Sequence, residues 1–280
     1  MKTKHLVAAI MLVSFIGFAS CKKNDASTKE EIATTTELST DQAVADNLTE
    51  DANDVFMEAA TEQNLTGETP ATPFESMGIL GCASVTVTPL QGFPKTIVIN
   101  FGAGCASSNN ITRKGRITIQ LSDSVRKPGS TAVLTFDGYY VNGFKKEGII
   151  TWTNNSTATT RGWQRKVENG KITSPTGKYW LHSSIKNVVQ TAGWATPRNL
   201  LDDVYSITGS STVTNAGGEK RTSTIKEPLT KKGNCENISK GSIEVAGPNH
   251  KALIDFGTGD CDNIATISID GGTPITFTLR

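Results

Sequence analysis

Carboxylates are the groups in this 280-residue chain with the widest scope for chemistry. Asp137, Glu147, Glu168, Asp202, Asp203 and Glu244 could supply a glycosidase pair, in which an acid and a base or nucleophile flank a sugar bond. Nothing in their spacing sets a separation, and each reads equally as a surface charge or a turn cap. Asp255, Asp260 and Asp262, with Asn263, put hard oxygen ligands on one turn as a calcium ion would require. A parallel segment carries Asn100 and no acids at the other positions, so that turn does not need a metal. His182 and His250 lie far apart with no free cysteine to join them, which argues against zinc. No Gly-x-Ser-x-Gly elbow occurs, and the Phe-Gly-x-Gly turns are followed by neither a helix pattern nor a P-loop lysine. No catalytic residue, metal or cofactor is expected.

Aromatic residues are distributed unevenly. Every tryptophan and tyrosine lies between Tyr139 and Tyr205. Flat rings with a polar tip on a β surface stack on sugars or grip partner loops. Trp163, Tyr179, Trp180 and Trp194 are therefore the candidate ligand contacts. Trp152 shares its phase with Ile150 and reads as packing. Tyr179 and Trp180, adjacent on one strand, should divide with one ring inward and one outward.

The elements that must position these groups are mostly strands. Beyond Pro73 the chain alternates at period two, as in Thr96–Phe101, Arg116–Leu121 and Gly148–Thr153. Tight-turn signals separate the runs at Asn142-Gly143, Asn169-Gly170, Thr176-Gly177, Gly217-Gly218 and Gly271-Gly272. With no helical pattern of crossover length after residue 65, the sheet must be antiparallel. The expectation is an all-β fold, mainly an antiparallel meander forming a large twisted sheet, sandwich or open barrel, with one N-terminal amphipathic helix. The domain covers residues 75–280; the rival is two small domains divided near Pro197. The helix is expected over 39–65, where Ser39 and Gln42 have capping-box spacing and Val44, Leu48, Ala52, Val55, Phe56 and Ala59 recur at helical intervals. Asp41, Asp46, Glu50, Asp51, Asp54 and Glu58 should form its solvated face, and residues 21–38, poor in apolar side chains, a flexible tether.

The first twenty residues have a basic start (Lys2, Lys4, His5) and an apolar run from Leu6 to Phe18, too short to span a bilayer and shaped like an export signal. Ala19-Ser20-Cys21 is similar to a bacterial lipobox, in which Cys21 becomes the lipidated first residue of the mature chain. Setting Cys21 aside leaves an even set, Cys82, Cys105, Cys235 and Cys261, in an oxidising compartment. Four cysteines allow three connectivities, of which local pairing, Cys82 with Cys105 and Cys235 with Cys261, is the simplest. It would close two similar modules, 82–105 and 235–261, each an apolar strand ending in Phe-Gly-x-Gly before a cysteine. Lys and Arg number 28 against 27 Asp and Glu, so no global field favours nucleic acid.

The lipobox, the paired Cys…Phe-Gly-x-Gly…Cys modules, Thr112–Ile117, Phe136–Gly143, Asp202–Gly209 and Cys261-Asp262-Asn263 together resemble an uncharacterised envelope lipoprotein family of Bacteroidota-type bacteria. The resemblance covers nearly all of residues 80–280 and implies an envelope location and a β fold, but no reaction. The functional expectation is a non-catalytic, lipid-anchored protein of the outer membrane, periplasmic or surface-facing. It would serve as a binding module for a glycan or envelope protein, or as a structural one, through its central aromatic strands. The alternative is a secreted hydrolase using acids among Asp137, Glu147, Asp202 and Asp203.

Overall fold

The computed structural model describes residues 22–67, 73–107 and 110–279, with the side chains of the helix from residue 28 onward. One helix, α1 (Lys22–Glu62), precedes fourteen strands. These are β1 (Ser84–Thr88), β2 (Lys95–Asn100), β3 (Cys105–Ala106), β4 (Thr112–Leu121), β5 (Thr131–Val141), β6 (Phe144–Asn154), β7 (Gly162–Thr173), β8 (Tyr179–Ala192), β9 (Val204–Asn215), β10 (Lys220–Lys232), β11 (Lys240–Ala246), β12 (Lys251–Thr258), β13 (Ile264–Ile269) and β14 (Ile275–Thr278). The strands form one open antiparallel sheet in sequence order, with only the short β3 off the path, paired to β4. The fold is all-β with a single N-terminal helix. The sheet continues unbroken past Pro197, which sits in the β8–β9 connection.

Local chemistry explains most of the connections. Asn142 and Gly143, with φ of 48° and 83°, close the two-residue β5–β6 hairpin that pairs Val141 with Phe144. Asn169-Gly170 behaves otherwise. It interrupts the β7–β8 register inside β7, so the expected hairpin turn is a bulge: two strands of full length pair on either side of it. The disulfides are the local ones, Cys82–Cys105 and Cys235–Cys261. Each encloses one hairpin, β1–β2 or β11–β12, and in each Phe-Gly-x-Gly the phenylalanine is buried. Asn100 Oδ1 accepts from the Gly102 amide at 3.0 Å, and Asp255 Oδ1 from the Gly257 amide at 2.8 Å, so the two modules share the same side-chain-capped turn.

The helix departs furthest from expectation. It starts at Lys22, so residues 22–38 are not a tether. Strands order this stretch: Glu31 accepts from the Asn249 and His250 amides at 2.6 and 3.0 Å, and Arg221 Nε donates to Thr35 Oγ1 at 2.9 Å. Ser39 lies inside the helix instead of capping it, its hydroxyl donating to the Thr35 carbonyl at 2.6 Å. At the other end Asn64 takes φ of 56° and the Leu65 amide bonds back to the Ala60 carbonyl at 2.7 Å, a glycine-free Schellman stop.

From Asp41 to Thr61 every residue of α1 is buried, on all sides of the helix. The concave face of the sheet therefore wraps around it. Its apolar side (Leu38, Leu48, Ala52, Val55, Phe56, Ala59) joins one core cluster with Ile97, Ile99, Ile117, Ile243, Val245 and Ile254 of the strands. Its acidic side meets cations instead of water. Arg113 on β4 grips Asp51 through Nε and Nη2, and the Tyr139 hydroxyl donates to the same carboxylate at 2.8 Å. Arg165 on β7 makes a two-pronged pair with Glu50. Lys186 and His182 on β8 face Asp46, Lys231 on β10 lies 2.8 Å from Asp54, and Lys178 lies 2.8 Å from Asp41. Glu58 accepts from the Ser76 hydroxyl and, at 3.2 Å, from the Ile79 amide. The expected solvated acidic face is thus an interior one, because inward-facing bases at five of the six buried carboxylates, and hydroxyl and amide donors at Glu58, replace the hydration they would otherwise lose.

The balance is uneven along the helix. Burial alone would raise the Asp46 carboxyl, yet Lys186 and His182 outweigh it and hold it well below the usual range. Burial raises Asp54 with Lys231 only partly offsetting it, and burial lowers His182 against the opposing pull of Asp46. Lys146 on β6, enclosed beside Thr49 Oγ1 at 3.1 Å, is lowered by burial to about 8 although nearby acids oppose the shift.

Removing one member of a buried pair should cost far more than removing both. We expect Arg165→Met to lose about 3–5 kcal/mol in urea denaturation by stranding Glu50, and the Glu50→Leu/Arg165→Met double variant to regain most of it. Additive losses would contradict the pairing.

Candidate functional site

A cavity opens where α1 ends. It encloses about 500 Å³ and is lined by residues of five separate segments. The floor is Met57 with Thr66 and Gly67. One wall is the β4–β5 connection, where the Val125 and Arg126 amides bond to the Leu65 and Thr66 carbonyls at 2.9 and 3.1 Å. The opposite wall is Trp152 and Asn154 of β6, the β6–β7 connection up to Arg161, and Trp163. Gln190 of β8 and Tyr205 of β9 complete it.

Three rings form a continuous aromatic wall. Trp152 and Trp163 lie 5.4 Å apart at an interplanar angle of 31°, and Tyr205 meets Trp163 edge-on at 5.2 Å. Phe56 of the helix packs edge-on against Trp152 at 5.9 Å, so the helix register sets the position of the wall. Both indoles are almost wholly buried, at 2% and 5% exposure, and neither N–H has a hydrogen-bond partner. An unmet buried donor is costly, on the order of 1–3 kcal/mol, unless something enters to accept from it.

Arg126, Lys127 and Arg161 are the basic residues among the described lining. Arg126 reaches the Gln190 side-chain oxygen and the Pro197 carbonyl, both at 3.4 Å, and Arg161 lies over the Trp194 ring at 5.7 Å. Among the described residues no aspartate or glutamate lines the cavity. Behind the lining, Asp203 accepts from the Tyr205 hydroxyl and from Gln190 Nε2, both at 2.6 Å, and burial pushes its carboxyl up to about 6 against the pull of Tyr205 and the two arginines.

The four expected ligand contacts separate. Trp163 is in the cavity wall. Trp194 stands beside it at 39% exposure, its indole N–H donating to the Gln190 carbonyl at 3.0 Å and its ring under Arg161. Tyr179 and Trp180 lie at the opposite end of β8, roughly 30 Å away by strand rise. Alternation divides them: Tyr179 is 38% exposed beneath Lys171, and Trp180 is 2% exposed against Phe144 and belongs to the core. Sequence reasoning missed Arg126 and Arg161, which sit in loops without periodicity, and treated Trp152 as packing alone. Trp152 does pack, and its edge also lines the cavity.

The remaining candidates disperse. Asp137 faces Arg116 at 3.8 Å on the outer surface, Glu147 pairs with Lys145 and Glu168 with Lys166 at 2.8 Å, Glu244 meets Lys251 at 3.4 Å, and Asp202 accepts from Thr196. The calcium turn does not form. Asp255 caps Gly257, Asp262 caps the Ile264 amide at 2.9 Å, and Asp260 reaches only the Thr258 hydroxyl, each satisfying its own backbone or neighbour. Among the described residues no cluster of three or more His, Cys, Asp or Glu gathers as a metal site. His250 pairs with Asp270 at 2.6 Å, and His182 is enclosed beside the helix. A second void, of about 100 Å³, reaches Asp51, Asp54 and Arg113. It has room for only ~3 waters. Cys21 lies outside the described residues, and no described helix is long and apolar enough to cross a membrane.

Comparison with protein-family models, with curated proteins and with solved structures gave no match.

The division of the aromatic pair predicts a stability contrast. Trp180→Ala should cost ~3–5 kcal/mol by emptying a core site, whereas Tyr179→Ala should stay within about 0.5 kcal/mol of wild type. Urea midpoints at unchanged slope measure both, and similar losses would contradict the assignment.

Proposed function

We propose that this protein is a non-catalytic binding module of the bacterial cell envelope, lipid-anchored at Cys21, that takes a glycan or glycan-like envelope component into the cavity at the end of α1. The observation that carries the reading is the pair of buried indole N–H groups of Trp152 and Trp163, two donors without a protein partner that lie side by side on the cavity wall. Aromatic faces with polar rims suit a sugar, whose CH faces stack while its hydroxyls accept and donate. Two disulfides support an address outside the reducing cytoplasm. The lipobox-like Ala19-Ser20-Cys21 supports attachment to the outer membrane, and α1 begins at the very next residue. The hydrolase alternative is not favoured here, since none of Asp137, Glu147, Asp202 and Asp203 lines the cavity.

Two tryptophans on the wall make intrinsic fluorescence the natural readout. Full-length protein in detergent should be retained on a glycan array, and the retained glycan should change tryptophan emission saturably. Trp163→Phe keeps an aromatic ring in the wall while removing one donor. It should weaken retention about tenfold, the equivalent of roughly 1.4 kcal/mol, within the range of one unmet hydrogen bond. Unchanged retention by this variant, or no retention of the wild type, would contradict the proposal.

A further inference from the structure

The outer face of the sheet changes character at β8. Alternation there turns His182, Lys186 and Gln190 toward the helix and leaves Leu181, Ile185 and Val189 outside, at 47%, 48% and 37% exposure. With Tyr179 at the start of the strand they form one apolar stripe. Register sets the outward hydroxyls of β9 beside it: Thr214 next to Leu181, Thr212 next to Ser183, Ser210 next to Ile185 and Ser206 next to Val189. None of the seven outward residues of β8 from Tyr179 to Thr191, nor of the five of β9 from Ser206 to Thr214, is charged, although charged residues make up 20% of the chain. On the β7 border, Lys166 and Glu168 pair with each other at 2.8 Å, and Lys171 lies over the Tyr179 ring at 4.6 Å. The face is also hollowed. Two depressions, of about 430 and 390 Å³, share Asn169, Ser183 and Thr212, with Ile185 lining one and Leu181 the other.

Large apolar residues with charge depleted around them are the composition of an interface core. What covers this one follows from its chemistry and its size. A bilayer would strip water from the hydroxyls of β9 without supplying partners for them. An unlike partner is selected by complementary charge, and the twelve outward positions offer none to complement. A two-fold axis brings each residue near its own copy, where any charge would meet its like, so a charge-free face is the one that accepts a second copy. Four strands at ~4.8 Å spacing and ~40 Å length present on the order of 800 Å², about the share of one partner in a standard interface.

We propose that the β8–β9 face docks a second copy of this chain, sheet against sheet. The two-fold axis lies between the sheets and crosses β8 at Ser183, where the two hollows meet. It reverses one β8 against the other and sets Leu181 of each copy against Ile185 of its mate. Neither hollow shares a lining residue with the cavity at the end of α1, so this interface and the glycan reading stand or fall separately.

Sedimentation velocity of the full-length protein in a density-matched detergent tests this, with a reversible monomer–dimer equilibrium as the expected result. Leu181→Glu and, separately, Ile185→Lys should raise the dimer dissociation constant tenfold or more at unchanged thermal midpoint. The Leu181→Glu/Ile185→Lys double variant should regain the dimer, because the axis places each introduced carboxylate against an introduced ammonium of the other copy. Within one chain the two positions are ~13 Å apart by strand rise and cannot pair. Ser183→Cys gives a reading without detergent: a short bismaleimide should link it into dimers in intact cells, and should leave Thr135→Cys, on the outer face of β5, unlinked. A monomeric wild type with no link through Ser183→Cys would overturn the proposal, and its cosedimentation with phosphatidylglycerol vesicles would assign the face to lipid instead. A dimer indifferent to both single variants would overturn this face as the interface. A double variant that stays monomeric would overturn the axis at Ser183.

Discussion

A carboxylate moved out of water loses several kcal/mol of hydration, which only a cation with good geometry and further donors can replace. Among the described residues α1 carries six such groups into the interior, Asp41, Asp46, Glu50, Asp51, Asp54 and Glu58. Their partners are spread over the chain from Ser76 to Lys231 and over strands β4, β7, β8 and β10. Bases so far apart in sequence reach one helix only if the sheet curls around it, so the acids and the curvature require each other. Sliding α1 by one turn, about 5.4 Å, would separate every pair at once. The ion pairs therefore select a single rotation and axial position of the helix. The driving force comes from the other side of α1, where Leu48, Val55 and Phe56 meet the isoleucines of the flanking strands.

That register carries through to the cavity. Phe56 touches Trp152, Met57 forms part of the floor, and the stop at Asn64 and Leu65 presents the carbonyls that hold the β4–β5 connection. A helix set one turn away would leave the aromatic wall unsupported. The cavity is in this sense a product of the buried charge pattern, although none of those charges lines it.

The meander, most of its hairpins and both disulfides were legible because they rest on local signals: period-two alternation, Asn142-Gly143, and repeated Phe-Gly-x-Gly segments flanked by cysteine. The helix was legible in kind and misread in setting. Acids on a helix at regular intervals look the same whether water or arginine faces them, and residues 22–38 look unstructured because the contacts that order them, such as Glu31 with Asn249, come from strands two hundred residues away. The missing signal was present on the strands. Arg165 shares its phase with Trp163 and Val167, and Lys186 shares its phase with Trp180 and Val188, so both bases occupy positions that point to the core. On β8 the polarity is inverted, with Leu181, Ile185 and Val189 facing outward and His182, Lys186 and Gln190 inward. Bases in phase with apolar residues, opposite a helix with surplus acid, are the pattern to read as an enclosed charged helix. At the candidate site Trp163 and the neighbouring Trp194 were picked out by residue type, whereas Arg126 and Arg161 came into view only once five distant segments were placed together.

Carboxyl footprinting measures the enclosed helix most directly, by carbodiimide-driven amidation of native full-length protein followed by peptide mass spectrometry. The account predicts that Asp46, Glu50 and Asp51 remain unmodified under native conditions and react only after denaturation, while the exposed Asp137 on β5 reacts in both states. Modification of Asp46, Glu50 and Asp51 in the native protein at rates comparable to Asp137 would place the acidic face in water and contradict the account.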